Sequence, residues 1–257
     1  AFMAVFAGIG AGSSVPLAEG LHLGWRNALA IWAILAAITL LVWLPQLKGK
    51  ILDHEPALLN AANAKPVKPL YKSALAWHIS FFMGIQSFLF YCFIAWLPAM
   101  LQGKGFSVVD SGYFVLLFQV VCGPAALFTP ILCDKLKNQT VLIYMMCAFY
   151  VLGYIGFGLA QATWLIYMSL ILVALAMGAS ISLAMFFMAQ KASTAEVAAG
   201  LSGMSQAIGY LFAAVGPTLV GFLFDVTASW LIPIIIFIVL SSVLLLNGLK
   251  AVNGGSI

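Results

Sequence analysis

Residues 200–230 read GLSGMSQAIGYLFAAVGPTLVGFLFDVTASW, and the character of the chain follows from them. The run from 200 to 224 carries no charge, and about 25 residues in a helix cross a hydrocarbon core of roughly 30 Å with some tilt. At helical spacing Ser202, Gln206, Gly209, Ala213 and Gly216 fall along one side, and Leu201, Met204, Ile208, Leu211, Val215, Leu219 and Phe222 along another. The second side suits lipid. The first lets a neighbouring helix come close, and Gln206 needs a hydrogen-bonding partner that hydrocarbon does not offer. That side is expected to face protein or a watery cavity. Gly216-Pro217 loosens the hydrogen-bond ladder and predicts a kink. The glycines alone are what a plain packing helix would show; Gln206 and Tyr210 fit a packing helix and a functional face equally.

Composition agrees with this reading along the whole chain. Of 257 residues, 64% are hydrophobic and 7% charged, with a mean hydropathy of +1.12, far outside the soluble range. Helices and closed barrels are the two ways to span lipid, and these long apolar runs lack the short alternation of barrel strands. An all-α membrane protein is expected. The net charge of +4 could mark a nucleic-acid partner, but the cations sit in short loops beside apolar runs, where topology accounts for them. Cys92, Cys122, Cys133 and Cys147 lie inside apolar runs without C-x-x-C spacing and are expected to be free thiols. Ala1 opens inside an apolar run with no basic segment before it, unlike a signal peptide, so the true start is expected upstream.

Eight apolar runs are long enough, or nearly so, to cross: 1–18, 25–44, 73–97, 111–133, 140–160, 163–189, 200–224 and 230–249. One connection, 45–72, is long, and carries Lys48, Lys50, Lys65, Lys68 and Lys72 against Asp53 and Glu55. That basic loop belongs in the cytoplasm. Lys135, Lys137, Lys191 and Lys250 then fall on the same side, leaving Arg26 and Lys104 outside; nine cations against two follow the positive-inside rule. Both ends of the chain come out cytoplasmic. With Pro56, Pro66 and Pro69 and few apolar residues, the loop reads as a linker. His54 in it, like Glu19 and His22, reads as solvated. Gly8 and Gly12 make the first run a tightly packed or cavity-facing helix, and Gly24-Trp25-Arg26 is a headgroup-level anchor.

The run 73–97 carries His78, Gln86, Ser87 and Tyr91 before a Trp96-Leu97-Pro98 exit. Gly84, Ser87, Tyr91 and Ala95 share a side, with Gln86 beside it near mid-membrane. In the next run Gly112, Gln119, Gly123, Ala126 and Pro130 line one side. Polar groups at that depth are costly unless used or paired, so two helices are expected to bring a glutamine toward one cavity. His78, nearer the cytoplasmic end, reads as a structural hydrogen-bonding group rather than a proton carrier. Tyr91 also fits an ordinary packing aromatic. The run 140–160, with Tyr144, Tyr150 and Tyr154, reads as scaffold. Ser180 and Ser182 are expected to bond back to their own helix, and the last run, after Trp230, to face lipid.

Catalytic chemistry is not written here. Glu19, Asp110, Asp134, Glu196 and Asp225 all fall at ends or in turns, so no embedded carboxylate relay can be built. Three scattered histidines make no metal constellation, and there is no phosphate-cradling loop. Neither an enzyme nor a cofactor is expected.

The order of a Gly-Trp-Arg between two spans, a basic loop and six further spans resembles the major facilitator superfamily from its fifth helix onward. The likeness is strongest to its cyanate and nitroimidazole transporter branch. It is carried by Ser73-Ala74-Leu75-Ala76-Trp77, Ala95-Trp96-Leu97-Pro98, Ala199-Gly200-Leu201-Ser202-Gly203-Met204-Ser205-Gln206 with Gly209-Tyr210, and Gly216-Pro217 followed by Asp225 and Trp230. One departure stands out: the family's cytoplasmic pattern of a glycine and then Asp-Arg-x-Gly-Arg-Arg is reduced to Pro130, Asp134 and Lys135, with Lys137, Asn138 and Gln139 where its end would fall.

The resemblance implies a partial major facilitator fold of eight transmembrane helices. Residues 1–44 would be the last two helices of an N-terminal bundle, 45–72 the cytoplasmic linker, 73–250 a complete C-terminal six-helix bundle, and 251–257 a tail. It also implies a secondary transporter of the plasma membrane working by alternating access, with four further helices upstream through which any proton coupling would run. The residues expected to line its midplane site are Gln86, Tyr91, Gln119, Gln206 and Tyr210, whose amides and phenols suit a small polar or anionic solute. The expected partners are that solute and the lipid bilayer, with the carrier a monomer. The rival reading is a membrane-embedded assembly subunit or enzyme with no solute path.

Overall fold

The computed structural model describes Gly10, Ser13, Leu17, Ala18 and residues 24–45, 69–136 and 138–257. The first apolar run, save for those four positions, and the stretch 46–68 of the basic loop lie outside the described residues, as do Glu19, His22, His54 and Lys137. Among the described residues every regular element is helical, and seven helices are long and apolar enough to cross a membrane. The protein is thus an all-α, multi-pass membrane protein. Seven of the eight expected spans are seen; the eighth falls on residues not described. The chain divides into two compact units, the larger built from residues 69–257 and the smaller falling within 13–68.

The smaller unit contributes α1 (Gly24–Trp43), whose residues are mostly exposed, with Ala28 buried. A helix apolar on all sides needs lipid or other helices around it. Arg26 lies 5.2 Å from the Trp25 ring centroid at its start.

The larger unit is a six-helix bundle: α2 (Ala74–Gln102), α3 (Val108–Lys135), α4 (Thr140–Leu159), α5 (Thr163–Gln190), α6 (Ala195–Thr227) and α7 (Leu231–Asn253). Side-chain caps begin three of them. Ser73 Oγ accepts from Ala76 N at 3.3 Å, Ser107 Oγ from Asp110 N at 3.0 Å, and Thr194 Oγ1 from Val197 N at 3.2 Å, each satisfying an amide that the first turn leaves without a partner. Pro98, expected to end the span 73–97, lies inside α2, which runs on to Gln102. Pro124, Pro130 and Pro217 are likewise internal. A proline removes one ladder bond, and neighbouring helices make the loss tolerable.

Two pairings dominate, α2 with α6 and α3 with α5, while α4 packs on both α5 and α7 and α7 also on α2. At the centre, Phe93 of α2 meets Phe118, Tyr154, Phe157 and Phe237 at centroid distances of 5.5–6.3 Å. The α3–α5 seam is closed by Gly178, where a Cβ would collide with the Cys122 carbonyl. Ser182 corrects its expected role: its hydroxyl donates to Ala126 O of α3 at 2.7 Å, because the close approach brings a foreign carbonyl within reach. Ser180 does bond back, to Met177 O at 2.9 Å, and also meets the Tyr150 hydroxyl at 2.8 Å. The last helix, expected against lipid, buries Ile234, Phe237, Ser241, Leu244 and Ala251 as well. Uniform hydrophobicity hides which face packs.

A lysine closes each end of the bundle. Lys104 Nζ donates to Ala160 O at 3.0 Å, capping α4; Lys191 Nζ donates to Val252 O and Gly254 O at 2.9 and 2.7 Å, capping α7. Burial pushes both ammonium groups below the usual lysine range. Beside Lys191 the segment 254–257 folds back, with Ile257 N donating to Lys191 O at 2.7 Å and Ser193 N to Ile257 O at 3.1 Å.

Candidate functional site

The α2–α6 seam positions most of the expected site. Ser80 and Ser205 hydroxyls meet across it at 2.9 Å. A Cβ on Gly216 would lie 2.5 Å from Cys92 Sγ and 2.8 Å from the Phe88 ring, so glycine there sets the helix separation. Trp96 Nε1 donates to Pro217 O at 2.8 Å, the second acceptor position of a carbonyl in the proline-bearing turn. The expected stripe is rotated: Leu201, Ser205, Gly209, Gly216 and Val220 are buried, whereas Ser202, Gln206 and Ala213 are half-buried at its edge. Leu201, assigned to the lipid side, is 0% exposed. Small residues mark where helices approach, but a large residue at the end of a crossing can fill the widening gap.

The five candidates divide into two groups. Gln86 and Gln119 are 2% and 3% exposed. Gln86 shares its helical face with Phe82 and Phe93 of the core, and its amide nitrogen donates to Ser87 Oγ at 2.9 Å and to Met83 Sδ at 3.2 Å, both on its own helix. Gln119 lies one helical turn before Cys122, which meets Gly178 of α5, and its Oε1 is buried without a hydrogen-bond partner. Gln206, Tyr91 and Tyr210 reach the surface of the unit. Gln206 Nε2 donates to Ser202 Oγ at 2.7 Å, while Tyr91 and Tyr210 are 40% and 61% exposed. The structure thus keeps the two deep glutamines inside the bundle and leaves the other three, Tyr91 on α2 and Gln206 and Tyr210 on α6, partly or largely exposed.

Sequence reasoning passed over Ser80 and Ser205, and took Tyr150 and Tyr154 for scaffold. Both tyrosines are fully buried and stack at 5.8 Å, and Tyr154 OH, like Gln119 Oε1, has no partner. Their spacing of four residues, one helical face, was the available signal. His78 Nδ1 meets Asn247 Oδ1 of α7 at 3.0 Å, a tertiary bond near the bundle end. The four cysteines are buried and free, and among the described residues no group of three His, Cys, Asp or Glu could hold a metal ion.

On another side of the unit, α3 and α4 both pack on α5 but make little contact with each other. Between them lies a recess of about 460 Å³, walled by Phe128 and Leu132 of α3 and Met145 and Phe149 of α4, with Leu175 and Ala179 of α5 as its floor. Its one hydroxyl, Thr129, is spent on Ala125 O at 2.7 Å.

Comparison with known proteins adds descent to this geometry. YycB of Bacillus subtilis (strain 168), described as an uncharacterized transporter, is 38% identical over 236 residues, covering 92% of this chain and 57% of its own. The 2-nitroimidazole transporter of Escherichia coli (strain K12) is 32% identical over 252 residues, covering 97% and 62%. The cyanate transport protein CynX of the same organism is 24% identical over 211 residues, covering 80% and 52%. The chain therefore spans about 57–62% of the length of the first two relatives. With the Major Facilitator Superfamily model matching residues 1–214 as well, the chain belongs to that superfamily.

Proposed function

We propose that the chain is the later part of a secondary transporter of the plasma membrane that carries a small polar or anionic solute by alternating access. Its relatives are described as transporters, one of 2-nitroimidazole and one of cyanate, and these solutes are the first to try. The observation that carries the reading is the exposure of Tyr91 on α2 and of Gln206 and Tyr210 on α6, two phenols and an amide on helices otherwise suited to hydrocarbon. Such groups hydrogen-bond a neutral or anionic solute without a fixed charge. Gln119, with a buried acceptor to spare, supports a deeper contact made when the bundle shifts. Residues 73–250 would be one rigid half, 1–44 part of the other and 45–72 their linker. The carrier would act as a monomer, and any proton coupling would run through helices upstream.

Uptake by proteoliposomes tests this. The expected result is uptake of 2-nitroimidazole or cyanate above protein-free vesicles, reduced about 5- to 30-fold in Gln206→Leu, which removes a polar contact worth roughly 1–2 kcal/mol. Full uptake by Gln206→Leu, Tyr210→Phe and Gln119→Leu alike would remove these residues from the path.

A further inference from the structure

The recess between α3 and α4 has a shape and a chemistry that the solute path does not use. It runs from Val120 to Leu132 along α3, about 18 Å at 1.5 Å per residue, close to the roughly 15 Å depth of one leaflet's hydrocarbon. Its walls are apolar and its one hydroxyl is already bonded, so it offers nothing to a polar solute. It lies on spanning helices, where the surrounding medium is acyl chain.

One end differs. Phe128 and Leu132 line the recess, and Lys135 follows at the next turn of the same face, exposed in the last turn of α3. Asp134 sits about 100° round the helix from Lys135 and does not share that face. The lysine count puts this end in the cytoplasm, where anionic lipids lie. From the acyl-length recess ending at a cation, the geometry points to a binding site for one anionic phospholipid of the inner leaflet, an acyl chain along α5 between α3 and α4 and the headgroup phosphate at Lys135. This assignment is independent of the transport reading.

Native mass spectrometry of the purified protein, titrated with phosphatidylglycerol or phosphatidylcholine of identical acyl chains, tests it. The protein should retain phosphatidylglycerol more tightly. Lys135→Gln should weaken phosphatidylglycerol about fivefold, the effect of one lysine near an anionic surface, and leave phosphatidylcholine unchanged. Met145→Trp, filling the recess from an exposed position, should weaken both lipids, and Val120→Trp should repeat the result from the facing wall. Equal binding of the two lipids by the unaltered protein, or a preference that survives Lys135→Gln, overturns the headgroup assignment. Unaltered binding by both tryptophan variants overturns the groove.

Discussion

The α2–α6 seam and the α3–α4 recess are drawn from helices of similar hydropathy, yet they solve opposite problems. Across the seam the helices come into contact because Gly216 has no side chain and Ser80 and Ser205 supply a bond between them. Across the recess no glycine closes the distance, and α3 and α4 pack on α5 far more than on each other. In lipid, burying apolar surface brings no gain, because acyl chains are as apolar as leucine, so contact needs small residues or hydrogen bonds. Where both are present a seam forms. Where both are absent a groove remains for lipid.

Substitutions at five positions sharpen or break that contrast. Gly216→Leu should be the most severe, since it drives a branched side chain into Cys92 and Phe88; a loss of about 3 kcal/mol is expected in detergent unfolding. Wild-type stability in that variant would mean the seam does not hold α2 to α6. Ser205→Ala should cost about 1 kcal/mol, and a double-mutant cycle with Ser80→Ala should return a coupling of roughly 0.6 kcal/mol. Additive losses would show that the two hydroxyls do not work together.

Gln119→Leu should leave stability unchanged or raise it by about 1 kcal/mol, because it removes an acceptor buried without a partner. Uptake should nevertheless fall. A clear destabilisation would show that the amide holds the α3–α5 seam. Met145→Trp, on the recess wall, should shift unfolding by no more than about 0.5 kcal/mol, as exposed substitutions do. A large loss there would make the recess part of the packed core.

Most spans were legible because their length and lack of charge leave a helix as the one economical state in lipid. Helix ends were less so. Pro98 looked like an exit, but a proline within a buried helix loses a single bond and α2 continues past it. The expected site was legible as residue types more than as geometry. Gln86 and Gln119 stood out as polar groups at depth, yet no periodicity could show that they turn into the bundle while Gln206 and Tyr210 stay at its surface. The pairing of Ser80 with Ser205 was not legible because a serine in a membrane helix can bond its own backbone, and the true partner is 125 residues away.

The sequence by itself determined that this is a helical membrane protein, which end of each helix carries the cations, and to which superfamily it is related. These are properties of single segments: the cost of exposed backbone in hydrocarbon and of charge at depth is settled within one span. Which face of each helix packs, which serines meet, and where a groove is left open were decided only by the tertiary structure. In an oily medium nearly every apolar face looks alike along the chain, and only the close approach of a particular pair of helices tells one face from another.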